Sequence, residues 1–253
     1  MDLEIFKRNS LYWSEDSQKL LARRNVAVFG LGGVGGYCVE ALARAGVGNL
    51  TIVDFDRVSK SNINRQIIAL HSTIGEKKTV LFEKRLKDIN PEINLKIIDD
   101  FYNSEELIID FAAEKYDFVA DAIDTMRSKI HLLETCYENK IPVISSMGAG
   151  NRIDPAKLYI SDLKDIENKN APFVSNVIYQ LKKLGITEGI TFVSSREKPY
   201  VQEKISENEK ITTNNGLDIE FNKIVPASTP FVASVAGIYM ASYIVQKLIK
   251  DFK

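Results

Sequence analysis

The sequence predicts an α/β fold built on a doubly wound, mostly parallel sheet with helices on both faces. Three observations predict it. The apolar run Val26–Phe29, the length of a buried strand, enters Gly30-x-Gly32-x-x-Gly35, with further glycines at Gly33 and Gly36. A second apolar run, Leu50–Val53, ends on Asp54, about twenty residues past the glycines. Strand-like and helix-like segments then alternate to residue 150. Strand, glycines, helix, strand and acid in that order make a Rossmann-like nucleotide-binding unit. Glycines admit a tight turn and let backbone approach a phosphate, the unpaired N–H groups of the helix start attract the anion, and the acid accepts hydrogen bonds from ribose hydroxyls.

Taken in order, residues 1–24 read as a helical segment, with Ser14-Glu-Asp-Ser17 as capping residues before Gln18–Arg24. Ala41–Ala45 continues the helix that follows the glycines, and Phe55–Gln66 after Asp54 is polar and turn-forming. Gly75–Lys87 reads as helix, interrupted at Asn90-Pro91 because proline disfavours helix before it. Then come a strand at Ile93–Ile98, a short helix at Ser104–Ala113, a strand at Phe118–Asp124 running into a loop, a helix at Thr125–Asn139, a strand at Pro142–Ser145 and a loop at Met147–Gly150. Additional C-terminal strands, Ala156–Asp162 and Gly189–Ser194, flank a helix near 172–184 and extend the sheet. Ser195–Asp218 is charged and poor in pattern, and reads as a flexible, substrate-facing excursion without regular structure.

Phe231–Ile249 is the most apolar segment. A membrane span needs about twenty predominantly apolar residues. This segment barely qualifies, is rich in Ala, Ser and Gly, and follows Pro226 and Pro230. It reads as a buried helix on the sheet or at a dimer interface ahead of a membrane contact. The chain is expected to form a single domain over 1–253: a helical segment (1–24), a nucleotide-binding core (25–155) and a substrate-facing remainder (156–253).

At 253 residues, with 45% hydrophobic and 26% charged residues, the chain can bury a sizeable core. A net charge of −1 excludes a global field drawing it to nucleic acid, so any such contact needs a local basic patch. The N-terminus lacks the apolar core of a signal peptide. The two cysteines, Cys38 and Cys136, belong to no CxxC pair, which leaves zinc fingers and redox dithiols unsupported. They read as buried, reduced thiols of a cytoplasmic protein. His71 and His131, the only histidines, lie in helical contexts and read as surface or core residues rather than catalysts.

Two chemistries compete for the glycine loop: hydride transfer with NAD, and adenylation with ATP. Hydride transfer usually brings an identifiable catalytic acid, and none stands out. Asn62, Asn64, Arg65 and Gln66, crowded just after the ribose acid, are donors suited to a triphosphate, because attack at the α-phosphate builds charge on its oxygens. Lys78 can reach the same anion, and Asp124 can hold Mg²⁺ against phosphate oxygens. Arg8, on composition alone, reads as a solvated charge.

Gly30-Leu-Gly-Gly-Val-Gly35, Asp54-Phe-Asp56, Ser61-Asn-Ile-Asn-Arg-Gln66, Lys78 and Asp121-Ala-Ile-Asp124 resemble the adenylating core of the ubiquitin-activating-enzyme superfamily. That group includes the bacterial activators of molybdopterin and thiamine sulfur carriers. The resemblance implies an ATP site formed by Gly30, Gly32, Gly33, Gly35, Asp54, Asp56, Ser61, Asn62, Arg65, Gln66, Lys78 and Asp124. In it, Gly33 and Asp54 match the residues that hold the adenosine. Asn62, Arg65 and Lys78 match the groups that bind and activate the phosphates, and Asp124 matches the acid that holds Mg²⁺. Arg8 falls where the superfamily has an arginine reaching into the partner subunit's site, which implies a homodimer and counts Arg8 with the catalytic set.

The chain departs from the sulfur-carrier activators in lacking their CxxC pairs, so no zinc is expected. It departs from the ubiquitin activators in lacking a suitably placed cysteine. It is most similar to one branch, the tRNA threonylcarbamoyladenosine dehydratases, at Asn64-Arg-Gln-Ile-Ile-Ala-Leu70, Asp121–Thr125, Lys140-Ile-Pro-Val143 and Gly148–Pro155. Some members of that branch carry a cysteine near the start of the last helix, where this chain reads Val225-Pro-Ala-Ser-Thr229. The resemblance implies an enzyme that adenylates the carboxylate of threonylcarbamoyladenosine on tRNA and cyclises it. The alternative is an activator of a small Gly-Gly-tailed carrier protein; a non-catalytic nucleotide-binding regulator is a third reading. Arg152, Lys182, Lys183, Arg196 and Lys198 are the candidate contacts to tRNA phosphates, and each is also readable as a solvated charge.

Overall fold

The computed structural model describes residues 4–103, 109–200, 205–212 and 218–249. Two short helices, α1 (Lys7–Trp13) and α2 (Glu15–Leu21), precede an alternating series: β1 (Asn25–Phe29), α3 (Gly35–Ala45), β2 (Asn49–Val53), α4 (Lys78–Ile89), β3 (Asn94–Ile98), α5 (Phe111–Glu114), β4 (Phe118–Asp121), α6 (Met126–Glu138) and β5 (Val143–Ser146). Then follow β6 (Leu158–Asp162), α7 (Pro172–Lys183), β7 (Thr191–Ser195), β8 (Ile205–Thr212), β9 (Asp218–Val225) and α8 (Pro230–Leu248).

Seven strands form one sheet in the order β3-β2-β1-β4-β5-β7-β6, with β8 and β9 paired separately. Neighbours in the large sheet run parallel except β6 and β7. After β3 at one edge the chain returns to place β4 beside β1. That reversal opens a crevice at the carboxyl ends of β1 and β4.

Side chains alternate across the sheet with period two. Val26, Val28, Leu50 and Ile52 face a core completed by Val39 and Leu42 of α3, Phe82 and Leu86 of α4, and Met240 and Ile244 of α8. Ala27, Phe29, Val119 and Phe192 face a second core closed by Leu132 and Leu133 of α6 and Val177 and Leu181 of α7. The doubly wound sheet with helices on both faces is therefore as the sequence predicts.

Three elements differ from expectation. The N-terminal segment is two helices, broken at Ser14, which adopts φ +77° while its hydroxyl accepts the Ser17 N–H. The break lets Gln18 turn inward, where its amide accepts from the Trp13 indole and donates to the Ala45 carbonyl at the end of α3. The helix expected at Ser104–Ala113 falls partly outside the described residues, and its described part is a single turn, Phe111–Glu114, capped by Asp110. The excursion after Ser195 contains an antiparallel hairpin where no regular structure was expected. Its register pairs eight residues on each strand, and the charged and polar residues among them interrupt the apolar alternation that betrays most strands.

The helix α8 is long and apolar enough to cross a membrane by length and composition, yet half of the relevant window is buried. It packs on α3 and buries Val232, Ala236, Met240, Ala241 and Ile244, and Gly237 lies where the two come close together. A Cβ there would lie 2.2 Å from the Val34 carbonyl oxygen and 3.0 Å from the Cys38 nitrogen. Gly237→Ala is expected to cost about 2 kcal/mol by forcing the helices apart. The urea midpoint should fall with an unchanged slope; an unaltered midpoint would contradict this packing.

Candidate active site

The turn after β1 is set by two close approaches. Gly30 takes φ +85°, and a Cβ on Gly35 would lie 1.7 Å from the Gly30 carbonyl oxygen. Only glycine permits that path. α3 starts at Gly35, so the positive end of the helix falls at the end of the loop and favours an anion there, although the Gly36 N–H is already taken by the Gly32 carbonyl at 3.0 Å.

Asp54, at the end of β2, is buried beside this turn. Its Oδ2 accepts the Leu31 N–H at 2.6 Å and its Oδ1 accepts the Asp56 N–H at 2.8 Å. Each oxygen retains a lone pair for a ribose hydroxyl. Burial pushes the Asp54 carboxyl above its ordinary range, and Asp56 adds to this against the opposing pull of Lys78. Lys78 opens α4 with only 3% exposure; its Nζ lies 2.6 Å from Asp56 Oδ2 and 3.8 Å from Asp54 Oδ1. Burial alone would lower the Lys78 pKa, but the carboxylates of Asp54, Asp56 and Asp124 outweigh it and hold the ammonium charged.

The loop between β2 and α4 folds back over the glycines. Asn62 closes a short 3₁₀ turn by accepting the Ser59 N–H. Ser61 is exposed, its hydroxyl on Ser59, and its carbonyl accepts from Arg65 at 2.8 Å. Arg65 also donates to the Asn64 side chain and lies against Gly33, where a glycine Cβ would sit 3.3 Å from the Arg65 Cγ. Burial pulls the Arg65 guanidinium below its ordinary value, while the Asp124 carboxylate raises it. Gln66 is buried with its amide nitrogen 3.7 Å from the Cβ position of Gly32, and its Oε1 is buried without a partner. A buried acceptor of that kind is expected to find a donor in a ligand or water.

Gly30, Gly32, Gly33, Gly35, Asp54, Asp56, Arg65, Gln66 and Lys78 therefore lie together, with Asp124 in electrostatic reach of Arg65 and Lys78. Asn62 and Ser61 shape the loop from its outer side. The structure does not bring Arg8 to this place within one chain. Arg8 sits exposed on α1, beside the far end of α3, where Asn9 donates to the Arg44 carbonyl.

Three features escape the sequence reading. Asn64 donates to the Ser228 carbonyl at 2.8 Å and so ties the polar loop to the approach of α8. Lys129 and Ser145 form a fully buried cluster with Asp121 beneath the crevice, a pairing that no local pattern announces. Arg152, expected as a surface cation for RNA, is instead buried, donating to the carbonyls of Gly148, Gly150 and Glu197. It holds the loop after β5. Arg196 is engaged by Glu167 and lies over the Tyr159 ring, while Lys182, Lys183 and Lys198 are exposed.

Cys38 and Cys136 are buried, and burial pushes both thiols up. His131 shares a hydrogen bond with the Tyr102 hydroxyl at 2.9 Å, and His71 is exposed on a surface turn. Among the described residues no three His, Cys, Asp or Glu side chains gather as a metal cluster.

The chain matches the ThiF family over residues 6–250. It is 40% identical to the tRNA threonylcarbamoyladenosine dehydratase of Bacillus subtilis over 252 residues, covering 99% of this chain and 97% of that protein. Its structure resembles Escherichia coli tRNA N6-threonylcarbamoyladenosine dehydratase solved with AMP (TM-score 0.84, 29% identity, 98% of this chain and 95% of that one) and with ATP (TM-score 0.82, 28% identity, the same coverage). The Escherichia coli molybdopterin-synthase adenylyltransferase is 36% identical over 139 residues, 55% of this chain and 54% of that protein.

Lys78→Met strands Asp54 and Asp56 together without their cation and is expected to cost about 3 kcal/mol at neutral pH. Asp54 already has a raised folded-state pKa, and a carboxyl raised on folding supplies stability that is present at low pH and lost as pH rises through that value. Removing Lys78 raises it further, so the variant's deficit should shrink on acidification. Thermal unfolding at neutral and mildly acidic pH reads this directly; a pH-independent deficit would oppose it.

Proposed function

The chain belongs to the ThiF family, and on that premise we propose that it is an ATP-dependent tRNA threonylcarbamoyladenosine dehydratase. Such an enzyme adenylates the carboxylate of the threonylcarbamoyl group on a tRNA adenosine and closes it into a ring. The observation that carries this reading is the end-to-end likeness to the Bacillus subtilis dehydratase, joined to buried Asp54 and Lys78, with half-buried Asp56, beside the glycine turn.

ATP lies along the Gly30–Gly35 turn with its ribose on Asp54. The threonylcarbamoyl carboxylate attacks the α-phosphorus, the bond to the β-phosphate breaks, and pyrophosphate leaves. Arg65, Lys78 and Asn62 supply positive charge and N–H groups to the oxygens on which charge develops. A nucleophile within the same side chain then attacks the acyl-adenylate and expels AMP, so the sum is loss of one water. Because that nucleophile is already tethered beside the activated carbonyl, proximity replaces a protein thiol.

The donor set suits Mg²⁺ brought in by the phosphates rather than a resident metal. Asp124 is a single exposed carboxylate, and no multi-ligand cluster is found among the described residues. When bound, the ion would shield the triphosphate and the departing pyrophosphate. Arg8 would serve the site of a second copy of this chain in a homodimer, and Lys182, Lys183 and Lys198 are the remaining exposed candidates for tRNA phosphates. A cytoplasmic location, with access to tRNA, is the compartment this reading supports.

The partial likeness to a molybdopterin-synthase adenylyltransferase supports one second reading, activation of a small Gly-Gly-tailed carrier protein through the same adenylation step. The test is AMP and pyrophosphate release by purified protein given tRNA with or without the threonylcarbamoyl group. The dehydratase should release AMP only with modified tRNA, whose nucleoside loses the mass of one water. AMP release indifferent to the modification would favour the carrier-protein activator. Arg65→Ala should slow AMP formation about 100-fold, and an unchanged rate would remove Arg65 from the reaction.

A further inference from the structure

Beneath the crevice, Asp121, Lys129 and Ser145 are each 0% exposed. The Lys129 ammonium donates to Asp121 Oδ2 at 2.6 Å and to the Ser145 hydroxyl at 3.0 Å, and that hydroxyl donates to the same Asp121 oxygen at 2.6 Å. A buried ion pair seldom outdoes well-packed apolar residues of the same volume in stability, so its presence calls for a different account. The remaining oxygen, Asp121 Oδ1, accepts the Ile123 N–H at 3.0 Å. The cluster thus grips the turn that carries Asp124. The same turn walls the glycine loop: the Ala122 N–H donates to the Phe29 carbonyl at 2.8 Å, and the Ala122 carbonyl oxygen lies 2.9 Å from where a Cβ on Gly30 would stand.

We propose that Lys129 is a positioning residue for adenylation, clamping Asp121 so that the 121–124 turn is fixed against the glycine loop and Asp124 alone is presented to the phosphate-bound cation. The inference rests on the ATP reading above and deepens it. Two carboxylates three residues apart flank the crevice. Lys129 and Ser145 occupy one oxygen of Asp121 and the Ile123 N–H occupies the other, which removes Asp121 as a competing ligand. Lys129 comes from α6 and Ser145 from β5, so the clamp joins three elements behind a single surface carboxylate.

The variant that tests this is Asp121→Asn/Lys129→Met, which removes both buried charges and leaves an acceptor near Ile123. Lys129→Met alone would strand a buried carboxylate and is not used. The readouts are Mn²⁺ binding by electron paramagnetic resonance with a non-hydrolysable ATP analogue, and AMP binding without metal by calorimetry. Loss of an orienting partner behind a metal ligand weakens metal binding about tenfold. The double variant should show that loss with AMP affinity much less affected, because the bonds that hold Asp54 to the Leu31 and Asp56 N–H groups are kept. Mn²⁺ binding equal to wild type, or AMP binding weakened in equal measure, overturns the proposal. If the double variant does not fold, Ser145→Ala decides: it keeps the ion pair, and a smaller but measurable loss of Mn²⁺ affinity is expected, whereas none overturns the clamp. Wild-type protein that holds the nucleotide without Mn²⁺ also overturns it. Wild-type protein that holds no nucleotide refutes the ATP reading, and the clamp's role with it.

Discussion

A single buried carboxylate joins the parts of the site. Asp54 accepts one N–H from the glycine turn after β1 and one from the polar loop after β2, so neither loop can shift without breaking a bond to the other. The parallel register that sets Phe29 beside Val53 delivers both loops to the same level of the sheet. Lys78 then follows from charge. Its ammonium is kept protonated in a buried place by the carboxylates around it, and these in turn tolerate each other only in its presence. A group balanced in this way has charge to offer an incoming triphosphate without a large rearrangement of the backbone.

How much of this was legible in the sequence depended on the range of the interaction concerned. The strands, the glycine turn and the acid after β2 were legible because each leaves a short-range mark: apolar runs, a glycine spacing and a fixed interval. The break at Ser14 was marked only as a cap, since a serine before acidic residues starts a helix equally well whether or not another helix precedes it. The β8–β9 hairpin was hidden because charged and polar residues are interspersed among its few apolar ones, a sequence that resembles a solvated loop. Arg152 and Lys129 were illegible for a further reason. The partners of Lys129 lie on β4 and β5, and Arg152, besides the nearby Gly148 and Gly150 carbonyls, meets the distant Glu197 carbonyl, so the burial of each depends on tertiary packing that no local pattern marks.

The placement of the thiols narrows the chemistry. Cys38 belongs to the core under α3 and Cys136 to the core under α6, and a thiol so buried is held in its unreactive, protonated form. Neither thiol is exposed to an acyl-adenylate formed at this site. Such a site suits substrates that carry a nucleophile close to the activated carboxylate.

The hairpin between β7 and α8 closes on itself, with Ile205 opposite Val225 at its base and Thr212 opposite Asp218 at its far end. Just beyond that base, Ala227 exchanges hydrogen bonds with Asn151, and Ser228 is bound by Asn64. The chain just beyond the base is therefore pinned, and the two strands of the ladder pair only with each other. Residues added or removed in matched pairs away from that base would leave the bonds of Ala227 and Ser228 in place. The hairpin is thus a place where chain length can drift during divergence, an adjustable appendage on a scaffold whose other dimensions are set by the sheet.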